Sequence, residues 1–174
     1  MNYQTERLIL RPWRDEDAPA FARLNADPQV MRYFPAPLSR EQSDAMLCTL
    51  RERMAAGGFG MWAVEERRSG DFIGMVGLNR PGIAMPFGEA VEIGWRLARA
   101  YQGRGYAYEA AHRALDIGFH DYGLTEIVAF TALANLDSQR LMARLGMARD
   151  IAFDHPSLPE GGWLRRHILY RLRR

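Results

Sequence analysis

The sequence predicts an α/β (α+β) protein in which about four helices flank a central, twisted, mixed but mostly antiparallel sheet of seven strands. Three observations predict this fold class. Two strand-like segments joined by a turn at 68–71 indicate an antiparallel hairpin. A helical segment between two later strands indicates a crossover, which makes those two strands parallel. Capping signals in the first third predict two more helices, and helices cover the faces of such a sheet.

The elements near the N-terminus are predicted as follows. Thr5–Arg11 (TERLILR) alternates in the manner of a strand. Asp15 or Asp17 can cap the helix that follows. The pattern Ser39–Gln42 matches a capping box and starts a second helix. A proline-rich elbow separates the two helices, and we expect most residues of this region to pack on the sheet.

The remaining chain alternates strands with two helices. One helix follows a glycine loop, and the other is capped by Asn135. The predicted strands lie at 61–67, 72–78, 91–97, 125–133, 147–153 and 164–173.

Length and composition restrict the class of protein. The chain has 174 residues and no internal repeat, which predicts one domain over residues 5–173. Its formal net charge of +2 is too small to indicate a nucleic-acid partner. No apolar run approaches the roughly 20 residues that span a membrane. The N-terminus has no signal-peptide layout, and the single Cys48 excludes an internal disulfide, so we expect a cytoplasmic protein, either a monomer or a homodimer.

The stretch Glu89–Ala114 organises the chain because it joins a strand, a loop with Gly103 and Gly105, and a helix start. A helix N-terminus has unbonded N–H groups and partial positive charge. Glycines let an anion approach the backbone, so the loop is a candidate phosphate cradle. It lacks the nucleoside-triphosphate loop pattern and the three-glycine dinucleotide fingerprint. The alternative interpretation is a tight turn between a strand and a helix.

The loop resembles the acyl-CoA pyrophosphate loop of the GNAT (Gcn5-related) N-acetyltransferase superfamily, Q/R-x-x-G-x-G/A, through Gln102, Gly105 and Ala107. The order of elements is also that of the GNAT fold. Three further motifs are similar to its RimJ/RimL-like branch. They are T-E-R-L-x-L-R-P at Thr5–Pro12, E-I-G-Y/W-x-L within Ala90–Leu97, and the N-x-x-S motif at Asn135–Ser138 with Leu145-Gly146-Met147.

The resemblance implies that acetyl-CoA binds as co-substrate, without a metal, where the central strand separates from the next one. The pantetheine arm would pair with the central strand, the pyrophosphate would lie on the loop, and Asn135 would touch the arm. The implied cofactor-binding residues are Trp95, Arg96, Leu97, Gln102, Gly103, Arg104, Gly105, Tyr106, Ala107 and Asn135.

Acetyl transfer to an amine needs a base for the ammonium and a proton donor for the departing thiolate. Glu92 is the candidate base, because it shares a strand face with Gly94 and Arg96; Glu89 and Glu109 are lesser candidates. The alternative for Glu92 is a strand carboxylate paired with an arginine. Ser138 is the candidate donor, one turn into its helix.

Other residues are candidates for the same chemistry or for contact with the substrate. Tyr106 and Tyr108 stay open as proton donors. Tyr33 and Phe34, at the elbow, are candidates for contact with the substrate. Cys48 is expected to pack among apolar neighbours, and the four histidines lack metal-ligand spacing.

The predicted function is therefore direct transfer of an acetyl group from acetyl-CoA to a primary amine, in a protein N-terminus or a small molecule. Three alternatives remain at this stage. The protein could bind acyl-CoA without catalysis, use another acyl-CoA such as succinyl-CoA, or bind a different phosphorylated ligand.

Overall fold

The structure is a computed structural model that describes residues 1–57 and 59–174. Its strands are β1 (Tyr3–Gln4), β2 (Leu8–Arg11), β3 (Met61–Glu66), β4 (Phe72–Asn79), β5 (Glu92–Leu97), β6 (Glu126–Ala132), β7 (Ala148–Asp154) and β8 (Arg166–Arg173). Its α-helices are α1 (Asp17–Ala26), α2 (Arg40–Ala55), α3 (Tyr106–Asp116) and α4 (Leu136–Arg144). A 3₁₀ turn at Arg99–Tyr101 and a π-helical turn at Ile117–Asp121 complete the regular elements.

The strands form one sheet in the order β1-β2-β3-β4-β5-β6-β8-β7. Every neighbouring pair is antiparallel except β5 and β6, which are parallel and are joined through α3. The prediction of a mixed, mostly antiparallel sheet with helices on its faces is therefore confirmed.

The predicted number of strands was one too low, because the described residues form eight strands. The extra strand is β1, whose Tyr3 lies opposite Leu10 in β2. The predicted first strand is correspondingly shorter, since the Thr5 N–H donates to the Leu8 carbonyl at 2.9 Å and closes a turn. A strand of two residues carries too little alternation to be recognised in a sequence.

The described residues form apolar clusters on both sides of the sheet. On one side, which we call the α3 side, α3 and α4 contribute apolar residues that pack with the inner strands, including Ala111, Leu115 and Met142. On the other side, which we call the α1 side, Phe21 of α1 and Leu47 of α2 are buried against the first half of the sheet.

Of the two helix starts predicted on the α1 side, one is confirmed. The capping box of α2 is present, with Ser39 accepting from the Gln42 N–H and Gln42 accepting from the Ser39 N–H. The cap of α1 is different, because its N-cap residue is Glu16 and makes no side-chain hydrogen bond. Asp17 lies in the first turn and is only 2% exposed.

Asp17 belongs to a buried ionic group that attaches α1 to the sheet. Arg11 of β2 donates to both Asp17 carboxylate oxygens at 2.8 Å and to Glu65 of β3 at 2.6 Å. We call Arg11, Asp17 and Glu65 the anchor cluster. Such bidentate, charge-assisted hydrogen bonds define geometry strictly, so the cluster sets where α1 lies.

Candidate active site

The central strand β5 and its neighbour β6 separate shortly after they meet. Their ladder contains one pair, Glu92 opposite Val128, next to a 2.9 Å hydrogen bond from the Val128 N–H to the Val91 carbonyl. In contrast, β4 pairs with β5 over six positions and β6 pairs with β8 over seven. We call the opening beyond the Glu92–Val128 pair the gap. It is the separation that the family resemblance implied.

Alternate residues of β5 direct their backbone groups into the gap. The Ala98 N–H donates to the Ile73 carbonyl of β4, and successive residues of a strand face opposite neighbours. The backbone groups of Trp95 and Leu97 therefore face the gap, as expected for residues that pair with a cofactor arm. Arg96 does not share this edge, because its backbone faces β4.

Side chains of β5 alternate between the two sides of the sheet. Ile93, Trp95 and Leu97 pack on the α3 side. Glu92 contacts Asn79, and Arg96 contacts α1, so both lie on the α1 side. The prediction that Glu92 and Arg96 share a face is confirmed, and the two sides of the gap carry different chemistry.

Glu92 lies on the α1 side where the gap begins. Its Oε1 accepts from Asn79 Nδ2 at 3.0 Å, and Asn79 Oδ1 accepts from Arg53 Nη1 at 3.0 Å. Burial raises the pKa of Glu92, and the Asn79 hydrogen bond and the Arg53 charge offset part of that rise. A cleft of about 360 Å³ borders Asn79 and Arg53, so the pair that supports Glu92 is close to solvent. A carboxylate with a raised pKa is suited to proton transfer near neutral pH.

Ser138 lies on the α3 side, next to the side chain of Trp95. Its Oγ accepts from Trp95 Nε1 at 3.4 Å and from Asn135 Nδ2 at 3.1 Å. Asn135 also caps α4, because its Oδ1 accepts from the Ser138 N–H at 3.3 Å. A hydroxyl oxygen has two lone pairs, so two accepted hydrogen bonds leave the Ser138 proton free to be donated.

The glycine loop leads directly into α3. Gly103 and Gly105 have left-handed φ angles of +72° and +81°, which residues with a Cβ rarely adopt. Gly105 immediately precedes Tyr106, the first residue of α3, and no side chain caps this helix N-terminus. Gln102 fixes the start of the loop, since its Nε2 donates to the Leu97 carbonyl at 2.9 Å. This geometry fits a phosphate group.

The segment before β2 contacts this loop and the start of α3 through Thr5 and Arg7. Arg7 Nη1 donates to the Arg104 carbonyl at 3.0 Å, and the Arg7 guanidinium carbon lies 4.5 Å from the centre of the Tyr106 ring. Glu109 of α3 accepts from Thr5 Oγ1 at 2.5 Å and from the backbone N–H and Nε of Arg7 at 2.7 Å. Sequence analysis missed this support, and the only signal for it was the T-E-R motif of the family resemblance.

These contacts remove Glu109 from the list of candidate bases. Burial favours its neutral form, but the hydrogen bonds from Thr5 and Arg7 outweigh burial and hold the pKa of Glu109 below its ordinary value. Glu89, the other lesser candidate, is exposed in the loop before β5.

Other residues predicted for the loop and the proton donor have the following surroundings. The Arg104 side chain is exposed, with its guanidinium carbon 5.8 Å from the centre of the Tyr101 ring. Ala107 and Tyr108 pack against the core of the α3 side. The Arg144 guanidinium carbon lies 4.7 Å from the Tyr108 ring, so that ring contacts α4.

The elbow between α1 and α2 reaches over the α1 side of the gap. The Phe34 ring centre lies 4.3 Å from the Arg96 guanidinium carbon, and the Tyr33 ring centre lies 6.2 Å from that of Trp163. Phe34 is 40% exposed and Trp163, between β7 and β8, is 64% exposed. The two predicted substrate contacts, Tyr33 and Phe34, thus lie beside Trp163 and Arg96, respectively. Trp163 was not identified from the sequence, because a single aromatic residue in a loop carries no spacing signal.

The remaining sequence predictions concern Cys48, metals and membranes. Cys48 is exposed on α2, which contradicts the expectation that it packs inside. Within residues 1–57 and 59–174, no group of three or more His, Cys, Asp or Glu could hold a metal ion. No helix in the described part of the chain is long and apolar enough to cross a membrane.

Comparisons with known proteins agree with this geometry. The family model described as Acetyltransferase (GNAT) domain matches residues 7–148. The chain is 31% identical over 162 residues to the uncharacterized N-acetyltransferase YnaD of Bacillus subtilis (strain 168), covering 92% of this chain and 90% of YnaD. The chain is also similar to the crystal structure of an acetyltransferase from Agrobacterium tumefaciens str. C58. The match covers 100% of this chain and 95% of the Agrobacterium chain, with a TM-score of 0.81 and 28% identity.

A structure of RimL, a ribosomal-protein acetyltransferase, in complex with coenzyme A also matches. Its TM-score is 0.81 over 99% of this chain and 98% of RimL. Its identity is 15%, so the likeness to RimL is one of fold.

Proposed function

Because the chain belongs to the GNAT acetyltransferase family, we propose that it transfers an acetyl group from acetyl-CoA to a primary amine, directly, within a ternary complex. The observation that carries this proposal is the gap, which has the half-buried Glu92 on its α1 side and the Ser138 hydroxyl on its α3 side. The catalytic unit is residues 5–173. The exposed thiol of Cys48 suits a reducing compartment, so we also propose that the enzyme works in the cytoplasm.

The residues that hold acetyl-CoA lie along the gap and the glycine loop. The backbone groups of Trp95 and the N–H of Leu97, which face the gap, would pair with the amides of the pantetheine arm, while the Leu97 carbonyl accepts from Gln102 Nε2. The loop from Gly103 to Ala107 would bind the pyrophosphate through backbone N–H groups and the partial positive charge of the α3 N-terminus. Arg7 and Glu109 keep that loop in place when it is filled.

The acceptor enters from the α1 side as an ammonium ion. Glu92 takes a proton from the nitrogen, directly or through one water, and the free lone pair then attacks the thioester carbon. A backbone N–H of β5 that faces the gap donates to the oxyanion. When the C–S bond breaks, the Ser138 hydroxyl gives its proton to the departing sulfur and regains one from solvent. The second proton of the nitrogen and the proton held by Glu92 leave to solvent, so one proton is released for each acetyl group transferred.

Binding is tested first, by thermal shift with acetyl-CoA, coenzyme A and ATP. Ligand at 100 times its dissociation constant adds about 2.7 kcal/mol of stability, and ATP should add little. We expect Gly105→Asp to lose the shift because an acidic side chain enters the cradle. Gly123→Asp is the matched control, since Gly123 also has a left-handed φ, of +63°, but lies beyond α3. No shift with either coenzyme A species would overturn the proposal.

Catalysis is tested by release of free thiol from acetyl-CoA in the presence of a panel of amines. A protein that only binds acyl-CoA would release no thiol above background. Ser138→Ala and Tyr108→Phe separate the candidate proton donors. We expect Ser138→Ala to be slower by roughly tenfold, below the usual 10²–10⁴ for acid catalysis, because a thiolate already leaves easily. A larger loss in Tyr108→Phe would transfer this role to the tyrosine.

A further inference from the structure

Arg96 is a buried cation whose surroundings contain no counter-charge. It is 8% exposed, and its Nη1 donates to Asn25 Oδ1 at 2.5 Å. Its guanidinium lies over the ring of Phe34. In the described part of the chain, Arg96 forms no ion pair, and its buried Nε has no hydrogen-bond partner.

The protein does not treat its other buried arginine in this way. Arg11 is 2% exposed, and its guanidinium forms ion pairs with two carboxylates, those of Asp17 and Glu65. Removing a guanidinium from water without pairing it costs several kcal/mol. Arg96 has no carboxylate partner, and one of its N–H groups has no acceptor. We therefore infer that the missing anionic acceptor comes from a bound ligand.

Arg96 lies on the same side of β5 as the proposed base. It shares the α1 side of β5 with Glu92, four residues away, which corresponds to about 13 Å between the Cα atoms. Gly94 lies between them on the same face, and a Cβ added there would meet only Met61 Cε, at 3.7 Å. The strip of β5 from Glu92 to Arg96 therefore carries no intervening side chain on this face, and we call this strip the groove. The ring of the elbow residue Phe34 lies against the guanidinium at the Arg96 end of the groove.

We propose that Arg96 recognises a carboxylate on the acceptor, so that the enzyme acetylates amines that carry a carboxylate within reach of this groove. This inference rests on the proposed function and specifies its substrate class. The amine would lie near Glu92 and the carboxylate near Arg96, with Asn25 and Phe34 holding the guanidinium in place. A planar guanidinium can donate two parallel hydrogen bonds to the two oxygens of a carboxylate. A neutral amide has one oxygen and no charge, so it accepts these hydrogen bonds more weakly.

The electrostatics of the groove agree with this role. Burial lowers the pKa of Arg96 to about 10, so the side chain still carries its charge at neutral pH. A bound carboxylate would compensate for the burial of that charge. Two sources share the required chemistry, namely the α-carboxylate of a free amino acid and an acidic side chain close to a peptide N-terminus.

The test compares pairs of acetylated products, because they are unreactive and differ only in the carboxylate. Thermal shift and equilibrium binding are measured on the protein saturated with coenzyme A. One arm uses N-acetyl-leucine, N-acetyl-phenylalanine and N-acetyl-alanine against their C-terminal amides. The other arm uses the amidated dipeptides N-acetyl-Ser-Asp and N-acetyl-Ser-Asn. We expect the carboxylate of at least one arm to bind roughly 10- to 100-fold more tightly than its neutral partner.

Variants identify the residue responsible. Arg96→Gln should remove the preference for the carboxylate, and Arg96→Lys should retain part of it because the charge remains. Arg32→Gln is the matched control, since Arg32 lies on the same elbow, 5.3 Å from the Tyr33 ring, but is exposed. It should keep the full preference.

The outcomes separate this inference from the proposed function. Equal binding of acids and amides by the wild type, no binding of any product to the protein saturated with coenzyme A, or a preference that survives Arg96→Gln would overturn the inference alone. Failure to bind coenzyme A would overturn the proposed function itself. The wild-type comparison is decisive even if Arg96→Gln does not fold.

Discussion

Two regions of the molecule bury charge in opposite ways. The anchor cluster surrounds its arginine with two carboxylates and attaches α1 to the sheet. At the gap, Glu92 is half-buried and Arg96 is buried, and each is bonded to a neutral amide, Asn79 for the carboxylate and Asn25 for the guanidinium. A neutral partner satisfies part of the hydrogen-bonding capacity without neutralising the charge. The first arrangement stabilises the fold, whereas the second leaves both charges available to a ligand.

The pKa values express the same difference. Burial by itself would lower the pKa of Arg11, but its two carboxylates outweigh burial and raise it. Burial lowers the pKa of Arg96 and raises that of Glu92, so in both cases the charged form is disfavoured. Groups perturbed by burial without a counter-charge are typical of functional sites, where stability is given up for reactivity.

The largest expected effect comes from breaking the anchor cluster. Arg11→Met leaves Asp17 buried without a cation and removes one of the two arginines that contact Glu65, and we expect the free energy of unfolding to fall by about 3–5 kcal/mol. Urea unfolding at pH 7 measures it. Arg14→Met is the control, because Arg14 also contacts Glu65 but its side chain is 47% exposed, and its loss should cost less than about 1 kcal/mol. Equal effects of the two variants would contradict the structural role of the cluster.

At the gap, loss of a charge should affect catalysis instead of the fold. Glu92→Gln keeps the shape and the hydrogen bond from Asn79 but cannot take a proton. We expect kcat/KM for amine acetylation to fall by about 10²–10⁴ with coenzyme A affinity unchanged. Glu89→Gln, on the exposed residue three positions earlier, should be as active as the wild type. Normal activity of Glu92→Gln would exclude Glu92 as the base.

The two regions should also respond to pH with opposite signs. Asp17 has a lowered pKa, because its bonds to Arg11 and Arg14 outweigh burial, so its contribution is present at neutral pH and is lost below about pH 4. Glu92 has a raised pKa, so its ionisation costs stability as pH rises through that value. Glu92→Gln should therefore be more stable than the wild type at pH 7 and equal to it below about pH 4. Unfolding curves at pH 3.5 and pH 7 test this, and a stability gain that is the same at both would refute it.

The smallest expected change is in the stability of Arg96→Met. The variant removes a buried unpaired cation, which is favourable, and leaves Asn25 Oδ1 without its donor, which costs about 1–3 kcal/mol. These contributions oppose each other, so we expect a net change within about 1 kcal/mol by urea unfolding. A loss as large as that of Arg11→Met would make Arg96 a structural residue and would end the comparison.

Sequence analysis was most successful where the signal is local. The capping box at Ser39–Gln42 and the Asn135 cap depend on residues three positions apart, and both are present. The alternation of β5 predicted correctly that Glu92 and Arg96 share a face. The resemblance to the GNAT family implied the separation of the central strand from the next one, which local patterns left open.

Contacts between segments that are far apart in the sequence were the hardest to predict. Asp17 was interpreted as a cap because its real partners lie six positions earlier and, through Arg11, in β3. Arg96 was assigned to the cofactor, since nothing near it in the chain indicates Asn25, 71 residues away. The contact of Tyr33 with Trp163 is equally distant. Such contacts are decided by packing of the whole fold, and no spacing rule records them.

The gap has a consequence for the mechanical continuity of the sheet. Its two parts, β1–β5 and β6–β8, are joined within the sheet by the single Glu92–Val128 pair. An acyl-CoA arm lying against Trp95 and Leu97 would be hydrogen-bonded to β5 like an additional strand and would fill the space between the two parts. Amide hydrogen exchange along β5 should then slow when coenzyme A is added. The sheet would then be continuous only while acyl-CoA is bound, and its two parts would be held together least firmly each time coenzyme A leaves.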